Sequence, residues 1–382
     1  MNTKLLVVLG TRPEAIKLAP VLRELRRRAG ADARLYLTGQ HKEMVAGILS
    51  FFHLEADGDL EVMQPNQSLS GLASRVLAGL DGVLTDFEPD WTIVQGDTTT
   101  AFAAALASFH RRVRVAHVEA GLRSFDRFRP FPEEMNRVLT GAVADLHFCP
   151  TPRARENLLA ERVAPERIHV VGNTVIDALH LALDRLRGDD LVARSLATSF
   201  PTLRLDRPFI LVTGHRRESF GKPFEDLCLA IRDVATTEDV QFVYPVHLNP
   251  NVRRPVFEIL RGLDNVHLGE PVGYPELIWM AQQCRFILTD SGGIQEEAAA
   301  LGKPVLVMRD VTERRESVDA GVSRLLGTQR EVIRDWTLRL LRDEATYGRM
   351  ARKVDVYGDG HASERIADAL GLERTPRSVE TG

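Results

Sequence analysis

Carboxylates stand at three places in the first half of the chain where a short apolar run or a turn gives way to a helical pattern. Asp97 lies in VQGDTTT, Glu119 in HVEAGLRS, and the pair Glu133 and Glu134 in FPEEMNR. Carboxylates held at such junctions can take up and release protons as general bases and acids. Two simpler interpretations stay open. Asp97 could cap the following helix through its side chain, and Glu133 and Glu134 could be acids of a first helical turn.

The second half of the chain places cations at comparable junctions. His215 is followed by Arg216 and Arg217 in TGHRRESFGK, His247 lies in YPVHLNPNVR, and Arg314 and Arg315 lie in MRDVTERRES. Arginine can bind a phosphate with two parallel hydrogen bonds, and histidine titrates near neutral pH. This distribution of charge suits a nucleotide diphosphate held by the second half of the chain, with its sugar facing the acidic first half.

The stretch TDSGGIQEEA allows two interpretations. Gly292 and Gly293 could form a strand-to-helix turn, with Glu296 and Glu297 in the first helical turn, where carboxylates suit the positive helix end. Alternatively, the small residues expose backbone N–H groups that bind an anionic ligand.

Two further segments have the same ambiguity. In GTRPEAIK, Arg12 and Lys17 could be surface charges, or they could contact a phosphate at the start of a helix, although G-x-G-x-x-G is absent. The aromatic stretch FDRFRPF could anchor a fixed loop or form a lid over a substrate. Its phenylalanines are Phe125, Phe128 and Phe131.

Strand-like runs alternate with helical patterns along the whole chain, which indicates parallel sheets with helical crossovers. The predicted strands of a first series are Leu5–Leu9, Leu35–Leu37, Thr92–Val94, Arg114–Val118 and Ile168–Val171. Those of a second series are Ile210–Val212, Gln241–Val246, Phe286–Leu288 and Val305–Met308. We therefore predict an α/β fold with two Rossmann-like domains facing each other across a cleft.

The predicted domain boundary lies near Gly172. Residues 1–172 form the domain with the carboxylates, and residues 173–359 form the second domain, with a loop over Thr202–Pro208. A final helix at about 360–374 is expected to pack back on the first domain, and the polar residues beyond Thr375 are expected to fray.

Composition excludes several classes of protein. The 382 residues are 44% hydrophobic and 27% charged, with a net charge of −4, so the charge gives no general reason to bind nucleic acid or anionic membranes. No apolar run approaches the roughly 18 residues of a membrane helix, and no signal peptide is expected. The three cysteines are far apart in the sequence, which argues against a zinc site or disulfide framework and favours a reducing cytoplasm.

Taken together, the motifs resemble those of the non-hydrolysing UDP-N-acetylglucosamine 2-epimerases. They occur in order between Lys4 and Ala369: GTRPEAIK, QGDTTT, HVEAGLRS, FPEEMNR, GNTVIDAL, TGHRRESFG, YPVHLNPNV, TDSGGIQEEA, LGKPVLVMRD and YGDG. The resemblance implies a fold like that of the GT-B glycosyltransferases, which have two Rossmann-like domains. It also implies a cytoplasmic homodimer that interconverts UDP-GlcNAc and UDP-ManNAc without metal or other cofactor, and supplies N-acetylmannosamine for bacterial surface polysaccharides.

The resemblance also assigns roles by position. The residues that match the family's catalytic groups are Asp97, Glu119, Glu133 and His215. Those that match its nucleotide-sugar contacts are Arg12, Lys17, Ser291, Gly292, Gly293, Glu297 and Arg314, with the serine and glycines at the diphosphate and Glu297 at the ribose. Many members are activated by a second UDP-GlcNAc, for which the candidates are Gln40, His41, Glu43 and His247.

The chain departs from the family pattern at a few positions. Arg315 stands where relatives commonly have proline. Val272 and Leu277 stand where some relatives have glutamine and an aromatic residue near the uracil. Contacts to uracil in that segment are therefore open.

The mechanism that the resemblance implies is elimination of UDP to 2-acetamidoglucal followed by re-addition, which needs a base on each face of the sugar. Three alternatives remain from sequence. They are a hydrolysing epimerase that releases ManNAc and UDP, a glycosyltransferase of the same fold, and a nucleotide-sugar sensor without turnover.

Overall fold

The computed structural model describes residues 2–39, 42–64, 67–188, 190–214, 216 and 219–374. The chain folds into two compact units: unit 1 is Met1–Ala178 with Tyr357–Gly382, and unit 2 is Leu179–Val356. The division after Ala178 lies within helix α7 (Thr174–Leu186), a little beyond the boundary proposed near Gly172. No helix in the described part of the chain is both long and apolar enough to cross a membrane.

Unit 1 is built on a parallel sheet of seven strands among its described residues, in the order β3-β2-β1-β4-β5-β6-β7. The strands are β1 (Thr3–Leu9), β2 (Ala31–Leu37), β3 (Gly58–Asp59), β4 (Trp91–Gln95), β5 (Arg114–Val118), β6 (Leu146–Cys149) and β7 (Ile168–Val170). The chain moves outward from β1 in one direction and then returns to place β4 on its other side. This is the doubly wound arrangement, whose strand order reverses between β1 and β4.

Unit 2 repeats the arrangement with six strands in its described part, in the order β10-β9-β8-β11-β12-β13, all parallel. The strands are β8 (Phe209–Thr213), β9 (Gln241–Pro245), β10 (Val266–Gly269), β11 (Phe286–Thr289), β12 (Val305–Val307) and β13 (Ser323–Leu325). Its strand order reverses between β8 and β11.

Helices connect the strands in both units. Those of unit 1 and its junction with unit 2 are α1 (Arg12–Arg27), α2 (Lys42–Phe51), α3 (Leu69–Phe87), α4 (Thr99–His110), α5 (Glu133–Val143), α6 (Pro152–Ala160), α7 (Thr174–Leu186) and α16 (Ala362–Ala369). Those of unit 2 are α8 (Asp190–Ser199), α9 (Lys222–Ala235), α10 (Pro250–Leu260), α11 (Tyr274–Gln283), α12 (Gly292–Leu301), α13 (Arg315–Asp319), α14 (Arg330–Arg342) and α15 (Glu344–Met350).

The central strands are buried on both faces, as parallel sheets covered by helices must be. Leu5, Leu6, Val7 and Val8 of β1 have no exposed surface, and Ile210, Leu211 and Val212 of β8 are equally enclosed. Such strands appear in a sequence as unbroken apolar runs. The burial of their side chains makes the strand ends the natural place for polar residues.

Helix α16 closes unit 1 by packing on α1. The guanidinium group of Arg28, which follows α1, bonds to Asp368 Oδ1 at 2.6 Å and to the carbonyl oxygens of Glu364 and Leu372 at 3.1 Å. Glu24 holds the same guanidinium from within α1 at 2.6 Å. A buried arginine needs such partners, so the C-terminal segment completes the packing of the N-terminal helix.

Candidate active site

The carboxyl ends of β1, β4 and β5 bring the predicted acidic residues of unit 1 to one edge of its sheet. These strands are neighbours, since β1 pairs with β4 and β4 pairs with β5. Asp97 follows β4, and Glu119 follows β5. Because the strand order reverses between β1 and β4, this edge contains the crevice in which doubly wound sheets bind ligands.

Glu119 is held by three side chains. Lys17 Nζ lies 2.5 Å from its Oε1, Asn173 Nδ2 donates to the same oxygen at 3.2 Å, and the amide of Gln95 donates to Oε2. The backbone of Glu119 has a φ of 63°, which is uncommon for a residue other than glycine. Backbone strain of this kind occurs where the fold fixes a residue at a functional position. Lys17 therefore contacts a carboxylate of its own unit rather than standing as a surface charge.

Asp97 does not cap helix α4, so that interpretation is wrong. Thr98 is the N-cap, and its hydroxyl accepts from Ala101 N at 3.0 Å. The carboxylate of Asp97 instead forms an ion pair with Arg137 of α5, and Asn136 Nδ2 donates to the Asp97 carbonyl oxygen at 2.9 Å. The side chain of Asp97 is thus oriented by α5.

The turn before Asp97 is fixed by a buried histidine. His117 Nε2 lies 2.7 Å from the carbonyl oxygen of Gly96, so this nitrogen carries the proton and donates. Gly96 has a φ of 71°, a conformation that favours glycine. Burial lowers the pKa of His117 to about 4, and the imidazole is therefore neutral at physiological pH.

The adjacent acids Glu133 and Glu134 have different surroundings. Glu134 is buried, and its carboxylate accepts from the backbone N–H groups of Ser124 and Phe125 and from Arg137 Nη1 at 3.2 Å. Glu133, the first residue of α5, is half-buried. Glu134 thus ties the loop after β5 to α5, and Arg137 contacts both Glu134 and Asp97.

The aromatic loop between β5 and α5 is exposed. Phe125, Phe128 and Phe131 are 77%, 66% and 63% exposed, respectively. They do not act as apolar anchors beneath a fixed loop, which removes one of the two interpretations of that stretch.

Glu14 is a buried carboxylate beside Asp97 in the fold that the sequence analysis did not single out. It lies in the first turn of α1, is only 1% exposed, and accepts hydrogen bonds from Gly10, Thr11 and Thr98. Burial raises its pKa, and these hydrogen bonds act in the opposite direction. The spacing Thr11-x-x-Glu14 is that of a capping box, and this pattern could have identified Glu14 from the sequence.

In unit 2, the stretch TDSGGIQEEA leads from β11 into helix α12, as predicted. Its two glycines belong to the helix itself rather than to a turn before it. Ser291 is the N-cap, and the helix begins at Gly292, without a positive φ at either glycine. Glu296 and Glu297 lie beyond the first turn. The interpretation that they compensate the positive helix end is therefore wrong, and the first turn presents backbone N–H groups beside small residues, as an anion site requires.

Glu296 and Glu297 each have a defined partner. Arg314 Nε donates to Glu296 Oε1 at 3.0 Å, and Arg314 Nη1 lies 3.6 Å from Glu313. The buried Tyr274 hydroxyl lies beside Glu297. Burial and this neighbouring carboxylate raise the tyrosine pKa well above its ordinary value.

Arg314 therefore stands fixed at the start of α12. A Cβ atom on Gly292 would lie 3.2 Å from Arg314 Cζ, so the guanidinium packs against the glycine backbone. Burial alone would raise the pKa of Glu313, yet Arg314 and Arg309 lower it to about 2, which keeps this supporting carboxylate ionised. Across the reversal of strand order in unit 2, Arg216 N donates to Asp290 Oδ2 at 2.8 Å.

The other predicted residues are exposed or half-buried, or lie outside the described residues. Arg12 is exposed at the start of α1, Glu43 is exposed on α2, and His247 is exposed after β9. Val272 and Leu277 are half-buried around the start of α11. The predictions for Gln40, His41, His215 and Arg217 fall outside the described residues.

Within the part of the chain that the structure describes, no group of three or more histidine, cysteine, aspartate or glutamate side chains could hold a metal ion. The three cysteines are buried, and burial raises each thiol pKa to about 12, so none is a thiolate at neutral pH.

Comparison with known proteins decides the family. The family model described as UDP-N-acetylglucosamine 2-epimerase matches residues 23–371. The UDP-N-acetylglucosamine 2-epimerase of Escherichia coli (strain K12) is 51% identical over 372 residues, which cover 97% of this chain and 99% of that protein. The chain belongs to the UDP-N-acetylglucosamine 2-epimerase family. The family resemblance inferred from the motifs is confirmed.

Solved structures support the same relationship. The Neisseria meningitidis UDP-GlcNAc 2-epimerase bound to UDP-GlcNAc has a TM-score of 0.92 and 43% identity, covering 96% of this chain and 99% of that one. A glycosyltransferase from Rickettsia africae has a TM-score of 0.59 at 13% identity, covering 97% of this chain and 99% of that one, which is a likeness of fold alone. The predicted α/β fold with two Rossmann-like domains, like that of the GT-B glycosyltransferases, is confirmed for this epimerase family member.

Proposed function

We propose that the protein interconverts UDP-GlcNAc and UDP-ManNAc by inverting C2 of the sugar, without net hydrolysis. Its membership of the UDP-N-acetylglucosamine 2-epimerase family supports the substrate and the reaction. In this proposal the enzyme is a cytoplasmic homodimer that supplies N-acetylmannosamine for bacterial surface polysaccharides.

The chemistry explains why several carboxylates are needed. C2 of the sugar carries no adjacent carbonyl, so direct loss of its proton would be prohibitively slow. Instead, a carboxylate takes the C2 proton while the C1–O bond breaks and UDP leaves with the bonding electrons, forming 2-acetamidoglucal. Re-addition forms the C1–O bond again, while an acid delivers a proton to the opposite face of C2. Proton transfer on two faces requires more than one acid–base group.

The observation that carries the proposal is the set of carboxylates at one edge of the unit 1 sheet. Asp97 and Glu119 follow adjacent strands, and each is oriented by a cation, Arg137 for Asp97 and Lys17 for Glu119. We assign proton transfer to Asp97, Glu119 and Glu133. Orientation by fixed partners is what acid–base groups need to act on a bound sugar.

The departing UDP is negatively charged, so it needs positively charged groups and hydrogen-bond donors around its diphosphate. We assign the diphosphate to Ser291, Gly292 and Gly293 at the start of α12 and to Arg314, with His215 assisting its departure. Backbone N–H groups and a fixed guanidinium can stabilise the charge that develops on the diphosphate. Glu297, held beside Tyr274, is assigned to the ribose hydroxyls. Arg12 and Lys17 complete the proposed contacts, and a second UDP-GlcNAc near Gln40, His41, Glu43 and His247 is the proposed activator.

The test is incubation with UDP-GlcNAc alone while the anomeric proton signals are followed by NMR. An approach to equilibrium between UDP-GlcNAc and UDP-ManNAc is expected. Accumulation of free ManNAc and UDP would instead indicate a hydrolysing epimerase. Slow UDP release without UDP-ManNAc would indicate a glycosyltransferase, and binding without any change would indicate a sensor.

A further inference from the structure

Glu14 takes part in more interactions than its place in a helix requires. Among the described residues, its Oε2 accepts from Gly10 N at 3.1 Å, Thr11 N at 2.7 Å and Thr11 Oγ1 at 2.7 Å. Its Oε1 accepts from Thr98 Oγ1 at 2.6 Å. A buried carboxylate without such donors would be strongly destabilising.

A capping box explains part of this pattern. In a capping box, a glutamate at the third helical position accepts from the N-cap backbone N–H, which here is that of Thr11. The bond from Thr98 lies outside that motif, because Thr98 belongs to the turn after β4 and is 84 positions away in sequence. Glu14 therefore connects two strand-end loops that a helix cap has no reason to connect.

Those two loops flank the reversal of strand order in unit 1. Gly10 and Thr11 follow β1, and Thr98 follows β4, its neighbour in the sheet. The residue before Thr98 is Asp97, which carries one of the proposed acid–base groups. Thr98 Oγ1 donates to Glu14 and accepts from Ala101 N at 3.0 Å, so one hydroxyl fixes the start of α4 and links it to the loop after β1.

We propose that Glu14 is a positioning residue that acts through the hydroxyl of Thr98 to hold the Asp97 carboxylate in place for proton transfer. The inference rests on the proposed function and deepens it. Small displacements of a reacting group can lower a rate by about a hundredfold without changing binding. Loss of the Glu14–Thr98 bond should therefore lower kcat and leave KM nearly unchanged.

Thr98→Val, Thr98→Ser and Glu14→Asp test the inference on the full-length enzyme. Valine keeps the shape of threonine without the hydroxyl, serine restores the hydroxyl, and aspartate keeps the charge but is too short to reach Thr98. We expect Thr98→Val and Glu14→Asp each to lower kcat about 10- to 100-fold, with KM within about twofold of wild type. Thr98→Ser should recover most of the turnover. The double variant Glu14→Asp/Thr98→Val should be no slower than the worse single variant, because both changes remove the same bond.

Thr151→Val is the matched control. Thr151 is also a threonine N-cap at the end of a strand of the same sheet, and its hydroxyl accepts from Ala154 N at 3.3 Å. Both valine variants remove a helix cap and should lower the melting temperature, Thr98→Val the more because it also removes a donor to the buried Glu14 carboxylate, while Thr151→Val keeps wild-type kcat.

The outcomes separate the inference from the function on which it rests. If wild type converts UDP-GlcNAc to UDP-ManNAc and Thr98→Val matches Thr151→Val in kcat, the inference fails and the function stands. The inference also fails if the fold-reduction in kcat of the double variant equals the product of the fold-reductions of Thr98→Val and Glu14→Asp. If wild type shows no conversion, the proposed function fails, and the inference falls with it. Should Glu14→Asp not fold, the comparison of Thr98→Val, Thr98→Ser and Thr151→Val decides alone.

Discussion

Each of two carboxylates at the edge of the unit 1 sheet is bonded to a cation from a helix. Arg137 of α5 holds Asp97, and Lys17 of α1 holds Glu119. Arg137 also contacts Glu134, which accepts from the backbone of the loop after β5. The orientation of the proposed acid–base groups is therefore set by residues whose own positions are buried and bonded.

Removal of the carboxylate charge tests this set directly. We expect Asp97→Asn, Glu119→Gln and Glu133→Gln each to lower turnover about a hundredfold or more, the effect of losing a general acid–base group. UDP should still bind, because the diphosphate and the ribose are assigned mainly to unit 2. Turnover is measured by NMR and UDP binding by calorimetry.

The control for these variants is Asp86→Asn, which removes an exposed carboxylate on α3. It should keep wild-type turnover. Near-normal turnover in all three site variants would remove the carboxylates from the mechanism.

Sequence could predict the identity of these residues but not their partners. Asp97 and Glu119 were found because they follow strands. Lys17, however, is 102 positions from Glu119, and Arg137 is 40 positions from Asp97. Such pairings depend on which strands become neighbours and on where helices return, and a single sequence does not contain that information. Glu14 carried a local signal, its spacing from Thr11, yet its bond to Thr98 depends on the same strand pairing.

At the scale of elements, nine of the thirteen strands in the described residues were predicted and four were missed. The predictions missed β3, β10 and β13, which are edge strands, and β6, which lies inside the unit 1 sheet. Edge strands bury less surface and so need no unbroken apolar run. In β6 the run is interrupted by His147, which is nevertheless buried.

His147 pairs in register with His117 of β5, and the two form a buried pair of imidazoles. Burial lowers the pKa of His117 to about 4 and that of His147 to about 3, the latter also through its neighbour. Between these values and the unfolded pKa of about 6.5, the unfolded chain binds protons that the folded chain does not. The free energy of unfolding should therefore fall with falling pH, by up to about 1.4 kcal/mol per pH unit for each histidine.

His147→Gln should make the free energy of unfolding less dependent on pH. Between pH 6 and pH 5, its change per pH unit should be smaller than in wild type by the contribution of one histidine, up to about 1.4 kcal/mol. Urea unfolding followed by circular dichroism at several pH values measures it. His110→Gln, which removes an exposed imidazole at the end of α4, is the control and should leave the slope unchanged. An equal slope in wild type and His147→Gln would contradict the assignment.

The start of α12 gives a second prediction at this scale. Gly292→Ala would place a Cβ 3.2 Å from Arg314 Cζ, so the guanidinium that bonds to Glu296 must shift by a few tenths of an ångström. We expect Gly292→Ala to weaken UDP binding about tenfold, since a charge-assisted contact contributes about 1.5–3 kcal/mol. Calorimetry with UDP measures the change.

Gly348→Ala is the control, because a Cβ at this helical glycine meets nothing within 4 Å. It should bind UDP like wild type. In an Arg314→Ala background, Gly292→Ala should have no further effect. If Gly292→Ala binds UDP normally while Arg314→Ala does not, Arg314 does not depend on its contact with the glycine.

At the scale of the whole molecule, the chain contains two doubly wound parallel sheets. The alternation of strands and helices in the sequence predicted two series of strands, and the structure has one sheet for each series. In both sheets, the polar residues discussed above follow strands that lie next to the point where the strand order reverses. In the proposed function, proton transfer is assigned to Asp97 and Glu119 of unit 1, and the diphosphate to Arg314 and the start of α12 in unit 2. This division suits a reaction in which a proton and a diphosphate leave different atoms of one substrate.

That reaction predicts an isotopic signature. In heavy water, UDP-ManNAc made by the enzyme should carry deuterium at C2, because the acid that returns the proton has exchanged with solvent. Long incubation should also release small amounts of 2-acetamidoglucal and UDP, because a two-fragment intermediate can escape when a site opens. NMR and mass spectrometry measure both. Product formed at full rate with hydrogen retained at C2, and with no glucal detected, would rule out elimination.

Unit 1 consists of two separate stretches of chain, Met1–Ala178 and Tyr357–Gly382. On the ribosome the sheet of unit 1 emerges before unit 2, and α16 emerges after unit 2. Until then the guanidinium of Arg28 lacks its bonds to Asp368 and to the carbonyl oxygens of Glu364 and Leu372. Because domains generally fold as units during synthesis, unit 1 begins to emerge before unit 2 but can complete its packing only after unit 2 has been made. Deletion of α16 and the residues that follow it would therefore disturb the packing of α1, which is synthesised before unit 2.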